Sequence, residues 1–199
     1  MFWDKVAWAY DLFANVLNRK ADRALCAAVG ALVGPEDAVL ECACGTGLLT
    51  AVLAPRCRSV VATDFSEKML ARAEKKCAKF GNVRFEKADI LRLPYPDAQF
   101  DAVVAANVIH LLDEPLRALA ELRRVCRPGG RLIIPTYMNR TEKGGSNRVT
   151  GVIDKAGADF KRAFTPESYR RFLVDAGCEN IELTLCEGRV PCAVAAIRL

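Results

Sequence analysis

Val39-Leu40-Glu41-Cys42-Ala43-Cys44-Gly45-Thr46-Gly47-Leu48-Leu49-Thr50 is the stretch that decides the fold. Val39 and Leu40 close an apolar run that reads as a buried strand, and Glu41 stands at its carboxyl end. Gly45 and Gly47 bracket Thr46, and Leu48 opens a helical pattern. Strand, tight glycine turn and helix start together make a ligand site, because glycine lets the backbone approach closely and the free N–H groups face what binds. A second acid, Asp64, ends the next apolar run, Val60-Val61-Ala62-Thr63. An acid about 20 residues past the turn has the spacing that reaches a ribose in a nucleotide-binding βαβ unit. A dinucleotide site would want a third glycine three residues after Gly47, where Thr50 stands. A pyrophosphate would also meet Glu41 as a like charge. A carboxylate before the turn suits a ligand with an ammonium group and no phosphate.

Outward from this stretch, strands and helices alternate. Strands are expected at 38–43, 59–63, 83–87, 101–105 and 130–135, and helices near 47–54, 66–79 and 115–126. Such alternation implies a parallel sheet covered on both faces. Ser66 is an N-cap type ahead of Met69. Gly81-Asn82 turns the chain, and Pro115 suits a first helical turn. Arg127-Pro128-Gly129-Gly130 fits a type II turn. Upstream, Trp3, Ala7, Tyr10, Ala14 and Leu17 recur at helical spacing, and a helix over about 21–32 stops before Gly34-Pro35. Residues 137–164 break the rhythm with a polar, glycine-containing run and a short amphipathic pattern. That segment is either a substrate lid or a surface connection. A helix over 166–176 precedes Ile181, Leu183 and Leu185, which alternate as in a strand. Glu187-Gly188 then suggests a hairpin into the apolar run from Val190 to Ile197. The whole chain, 1–199, is expected to be one domain, with 1–33 as an N-terminal helical cap.

Composition narrows the classes. Hydrophobic residues make up 52%, which argues against disorder. The net charge of +5 from 29 basic and 24 acidic residues is mild, whereas a nucleic-acid enzyme is expected to carry a more concentrated basic patch. Nine cysteines are scattered without a C-x-x-C, and His110 is the only histidine. Clustered metal ligands are therefore not expected, and the thiols read as reduced and mostly buried, as in a cytoplasmic protein. Neither a signal peptide nor a membrane-spanning run is apparent.

Four blocks, Val39 to Gly47, Val60 to Leu70, Phe85 to Leu91 and Phe100 to Pro135, resemble the class I S-adenosylmethionine (SAM) dependent methyltransferases. The resemblance is closest to the broad small-molecule group, type 11, that includes ubiquinone/menaquinone-biosynthesis methyltransferases. It implies a Rossmann-like α/β fold of seven strands, mostly parallel, with a C-terminal antiparallel hairpin and helices on both faces. It also implies SAM as methyl donor and S-adenosylhomocysteine as product. By the resemblance, Glu41 lies near the methionine moiety, and the backbone of Ala43, Gly45 and Gly47 lines the cofactor. Asp64 accepts from the ribose hydroxyls, and Phe65 and Met69 flank the adenine. Asp89 takes the exocyclic amine while the Ile90 N–H meets a ring nitrogen. Asn107 sits near the transferring methyl. An Ala-x-x-Tyr-Asp motif, here Ala7 to Asp11, puts Tyr10 over the cofactor, where its ring could face a sulfonium.

Methyl transfer from a sulfonium needs no protein nucleophile or metal. It needs alignment, water exclusion and removal of a proton from an acceptor that is not already anionic. His110 is the candidate base; the other reading is a helix-face histidine satisfied by backbone. The expected partner is a small-molecule methyl acceptor, with no nucleic acid, and a monomer or homodimer. Alternatives are methylation of tRNA or another macromolecule, and a non-catalytic SAM-binding protein. Arsenite methylation is a further alternative, although the cysteines supply no obvious trio.

Overall fold

The alternation of side chains along the strands sets up three layers. A computed structural model describes residues 18–139 and 161–199. In β1 (Ala38–Cys42), Val39 faces one apolar layer and Leu40 the other. In β4 (Phe100–Ala105), Ala102 and Val104 join Val39, while Val103 and Ala105 join Leu40. β5 (Cys126–Tyr137) repeats the pattern, with Ile133 on the first side and Leu132 and Ile134 on the second. Period-two alternation with both faces apolar is what a sheet covered on both sides requires.

The first face is covered by α1 (Arg19–Gly30) through Leu25 and Val29, by the short α2 (Thr50–Leu53) through Leu53, and by α3 (Glu67–Cys77) through Leu70 and Ala73. The second face is covered by α4 (Pro115–Val125) through Leu119 and Leu122, and by α5 (Pro166–Asp175) through Tyr169 and Leu173. With β2 (Ser59–Asp64), β3 (Val83–Lys87), β6 (Ile181–Cys186) and β7 (Cys192–Arg198), the sheet has the order β3-β2-β1-β4-β5-β7-β6. Neighbours are parallel from β3 across to β5, and β7 runs antiparallel to β5 and β6. This is the expected mixed seven-stranded sheet with its C-terminal antiparallel pair.

Local chemistry starts and stops the helices where anticipated. Ser66 caps α3 by accepting from the Met69 N–H at 3.2 Å. Pro115 occupies the first turn of α4. Thr165 and Ser168 form a reciprocal capping box on α5, and Gly177 leaves it at φ +76°. Gly129 has the positive φ, +74°, that the expected turn at Arg127 to Gly130 requires, and the pairing with β4 shifts register there, from Phe100 opposite Cys126 to Ala102 opposite Arg131. One expectation is corrected: β5 begins at Cys126 and not at 130. The expected helix from 47 shortens as well, since residues 45–49 form turns and α2 starts only at Thr50. The helix expected over 3–17, with Tyr10, and positions 140–160 of the segment read as a lid lie outside the described residues.

The strand exits are tied together by backbone bonds. Cys44 N–H donates to Thr63 O at 2.9 Å, Ala88 N–H to Asp64 O at 3.2 Å and Asn107 N–H to Pro135 O at 2.8 Å. These bonds bring the loops after β1, β2, β3 and β4 to one rim. Because β1 lies between β2 and β4, chain order reverses there, and that reversal opens a crevice at the carboxyl ends of the strands.

Candidate active site

The turn after β1 is built for close approach. Ala43, Gly45 and Gly47 all have positive φ, at 53°, 56° and 80°. A Cβ added at Gly45 would meet nothing within 4 Å, so its backbone faces open space. Asp64, at the end of β2, accepts from the Gly45 N–H at 2.9 Å through Oδ2 and from the Ser66 N–H at 2.8 Å through Oδ1. These bonds hold the carboxylate against the glycine turn.

Around this turn lies a cleft of about 320 Å³, near the lower end of the ~300–1,000 Å³ usual for ligand pockets. Ala43, Gly45 and Asp64 line it together with Phe65 and Met69. Phe65 is half exposed, and Lys87 Nζ stands 5.9 Å from its ring centroid. Met69 is buried. From the exit of β3 come Asp89 and Ile90, with Asp89 Oδ1 accepting from the Leu91 N–H at 2.9 Å. From the exit of β4 comes Asn107, at φ 52°, a left-handed conformation that asparagine tolerates better than most residues. Val108, Leu111 and Leu112 continue that wall. The cleft is thus asymmetric: both of its carboxylates come from the β2 and β3 side, and the β4 side carries Asn107 among otherwise apolar residues.

Three anticipated residues stand elsewhere. Glu41 does not line the cleft. It is 2% exposed and accepts from the Thr50 hydroxyl at 2.6 Å through Oε2. Burial pushes its carboxyl up to about 8, helped by nearby Asp64 and opposed by the Thr50 hydrogen bond. Gly47 serves packing: a Cβ there would lie 3.0 Å from Ala73 Cβ and 3.1 Å from Ala73 Cα. Its absence lets α3 close on the turn. His110, in the 3₁₀ turn Ile109–Leu111, is 2% exposed behind the apolar wall. Its ring meets Tyr137 edge-on at 5.9 Å, and burial lowers it to about 4, so it is neutral at pH 7.

All nine cysteines are free thiols, and no group of three or more metal-ligating side chains occurs among the described residues. Burial raises the buried thiols, Cys42 to about 12. No helix among the described residues is long and apolar enough to cross a membrane.

Sequence reading did not single out Thr63, Ala88 and Ala106 as lining residues, although strand-exit position was an available signal. Val108, Leu111 and Leu112 fall within 107–112, a segment the sequence offers for contact with the acceptor.

Fold order, glycine turn and paired rim carboxylates define a class I methyltransferase-type nucleotide-binding protein. Residues 40–134 match the family model described as a methyltransferase domain. A demethylmenaquinone methyltransferase of Deinococcus radiodurans is 42% identical over 134 residues, 65% of this chain and 56% of that one. The chain thus spans just over half the length of that relative. A phosphatidylethanolamine N-methyltransferase of Cereibacter sphaeroides is 33% identical over 184 residues, covering 89% of this chain and 86% of that one. In three dimensions, a SAM-dependent methyltransferase of Thermotoga maritima superposes with a TM-score of 0.79 at 23% identity, covering 99% of this chain and 98% of the other. The chain belongs to the SAM-dependent methyltransferase family.

Proposed function

We propose that this protein transfers a methyl group from SAM to an amphipathic small molecule that enters from the β4 side of the cleft. The observation that carries the reading is that Asp64, Asp89, Gly45 and Asn107, from four different strand exits, line one cleft. The residues fit the cofactor. The open backbone at Gly45 can take the amino-acid portion, and the Asp64 carboxylate can accept from two ribose hydroxyls. Asp89 and the Ile90 N–H are disposed for the adenine edge, with Phe65 and Met69 beside its faces. When bound, SAM supplies a methyl group on an already activated leaving group.

The chain's remaining work is positional. Apolar Val108, Leu111 and Leu112 exclude water beside Asn107, so an acceptor pressed against them is aligned and desolvated. His110 is neutral at pH 7 and chemically able to take a proton, but its burial means the 109–111 turn must shift to expose it. The names of the relatives point to quinone and phospholipid acceptors, both with an apolar tail and a small reactive head, which suits a wall of this kind.

Calorimetry with S-adenosylhomocysteine and with NAD tests the reading. Micromolar-range binding of S-adenosylhomocysteine and none of NAD is expected. The reverse result would overturn the assignment.

A further inference from the structure

We propose that Lys87 is a positioning residue for the cofactor's base: it holds the ring of Phe65 as the platform on which the adenine stacks. The proposal rests on the methyltransferase reading above and adds to it the residue that orders one wall of the base subsite.

The backbone that carries Phe65 is fixed from both sides. Asp64, immediately before it, accepts from the Gly45 N–H at 2.9 Å and from the Ser66 N–H at 2.8 Å. Ser66, immediately after it, caps α3 by accepting from the Met69 N–H. The Phe65 side chain has no such packing around it. It lines the cleft yet is half exposed, so its torsions are free to turn unless a contact restrains them. A ring that turns must be ordered when a base stacks on it, and that ordering is subtracted from affinity.

Lys87 supplies the restraint. It ends β3, where it pairs in register with Asp64, and the Ala88 N–H that follows donates to Asp64 O at 3.2 Å. The sheet therefore sets Lys87 beside residue 64, and its side chain reaches the next residue along. Lys87 Nζ stands 5.9 Å from the Phe65 ring centroid, inside the ~6 Å reach of a cation–π contact. Glu67, on the first turn of α3, accepts from the same Nζ at 2.8 Å. Both charged groups are exposed, so the ion pair itself adds little stability. Its use is placement, because the carboxylate limits where the flexible lysine puts its charge. An ammonium on one face of a ring leaves the other face for a base, and base–aromatic stacking gains from a ring already held in place. Asp89 and Ile90, just beyond Lys87, line the cleft as well. One strand end thus carries the groups that suit the edge of the adenine and the cation that steadies the ring beside its face.

Calorimetric titration of S-adenosylhomocysteine into wild type, Lys87→Met, Lys87→Arg, Phe65→Leu and the double variant Phe65→Leu/Lys87→Met tests this. Lys87→Met keeps an unbranched side chain without the charge and should weaken binding by roughly 2–5-fold, the size of an exposed cation–π contact. Lys87→Arg should bind as wild type does, since a guanidinium also rests on an aromatic face. Phe65→Leu removes the platform, and in that background Lys87→Met should change nothing further. 5′-Methylthioadenosine keeps the base and lacks the amino acid, so it should show the same losses. The proposal is overturned if Lys87→Met binds like wild type or if its loss persists in full in the Phe65→Leu background. A loss seen with S-adenosylhomocysteine but not with 5′-methylthioadenosine overturns it too. If wild type binds neither ligand, the underlying methyltransferase reading fails instead.

Discussion

Replacing Glu41 by Gln should raise stability at neutral pH while weakening cofactor binding. The carboxyl is 2% exposed, its Oε2 takes the Thr50 hydroxyl at 2.6 Å, and its pKa rises from 4.5 to about 8. Between these values the folded protein holds a proton that the unfolded chain has released. Stability therefore falls as pH rises, by about 1.4 kcal/mol per unit, until the folded group also ionises. At pH 7 the accumulated loss is on the order of 3 kcal/mol. Gln has the shape of the protonated acid and keeps an acceptor for Thr50, so Glu41→Gln removes this loss. The variant should match wild type near pH 4 and exceed it by about 2–4 kcal/mol at pH 7, roughly 5–12 °C in Tm for a chain of this size. Urea unfolding at constant ionic strength from pH 4.5 to 7.5 reads the difference directly. Cationic SAM favours the carboxylate, so binding at pH 7 should release up to about one proton in wild type and none in Glu41→Gln. Calorimetry in buffers of differing ionisation heat measures it. A stability difference that does not vary with pH, or a variant less stable at pH 7, would refute the argument that burial holds the proton on Glu41.

Asp22, on the first turn of α1, is a milder version of the same case: it is 7% exposed and raised by burial from 3.8 to about 6. Asp22→Asn should stabilise by roughly 2–3 kcal/mol at pH 7 and by almost nothing below about pH 4, read by the same unfolding series. Gly47→Ala should destabilise by about 1–3 kcal/mol, since φ is +80° and the new methyl would meet Ala73 at 3.0 Å. The double variant with Ala73→Gly should recover part of that loss in urea, and no recovery would disprove the close approach. For His110, lowered to about 4, kcat/KM should show no inflection between pH 6 and 8 from this group. If His110 is the base, His110→Gln should lower kcat by roughly 10²–10⁴ with S-adenosylhomocysteine affinity unchanged. An inflection near pH 6.5 that vanishes in the variant would show that the ring is solvated in the working enzyme.

Most of the sheet was legible because its signals are local. The short apolar runs of β1 and β4, the Ser66 cap and Pro115 each act within a few residues of their own position. The rim carboxylates Asp64 and Asp89 were legible for a related reason: strand ends are visible in sequence, and in a parallel sheet those ends converge. Glu41, in β1, and Gly47, in the glycine turn, were placed near the cofactor by family resemblance. Their contacts here come from elsewhere in the chain, from the Thr50 hydroxyl for one and from Ala73 on α3 for the other, and no local signal announces either. The start of β5 at Cys126 was not legible, because Pro128-Gly129 signals a turn and only the pairing of Cys126 with Phe100 carries the strand back across it.

The residues with unusual backbone explain why the rim is where it is. Ala43 and Asn107 have positive φ without being glycine, a conformation that costs about 1–3 kcal/mol unless the surroundings enforce it. Each is flanked by a bond that does so: Cys44 N–H to Thr63 O beside Ala43, and Asn107 N–H to Pro135 O. The adjacent strands thus hold the two exits on either side of the crevice in strained turns, and both strained residues line the cleft. Asn107 is coupled further still, since Cys192 Sγ lies 3.8 Å from its Oδ1 and Cys192 pairs with Tyr137 across β5 and β7. The cleft wall at Asn107 is therefore set by the antiparallel C-terminal strand as well as by β4. That strand adds to the parallel nucleotide-binding sheet a support reaching the side where an acceptor would stand.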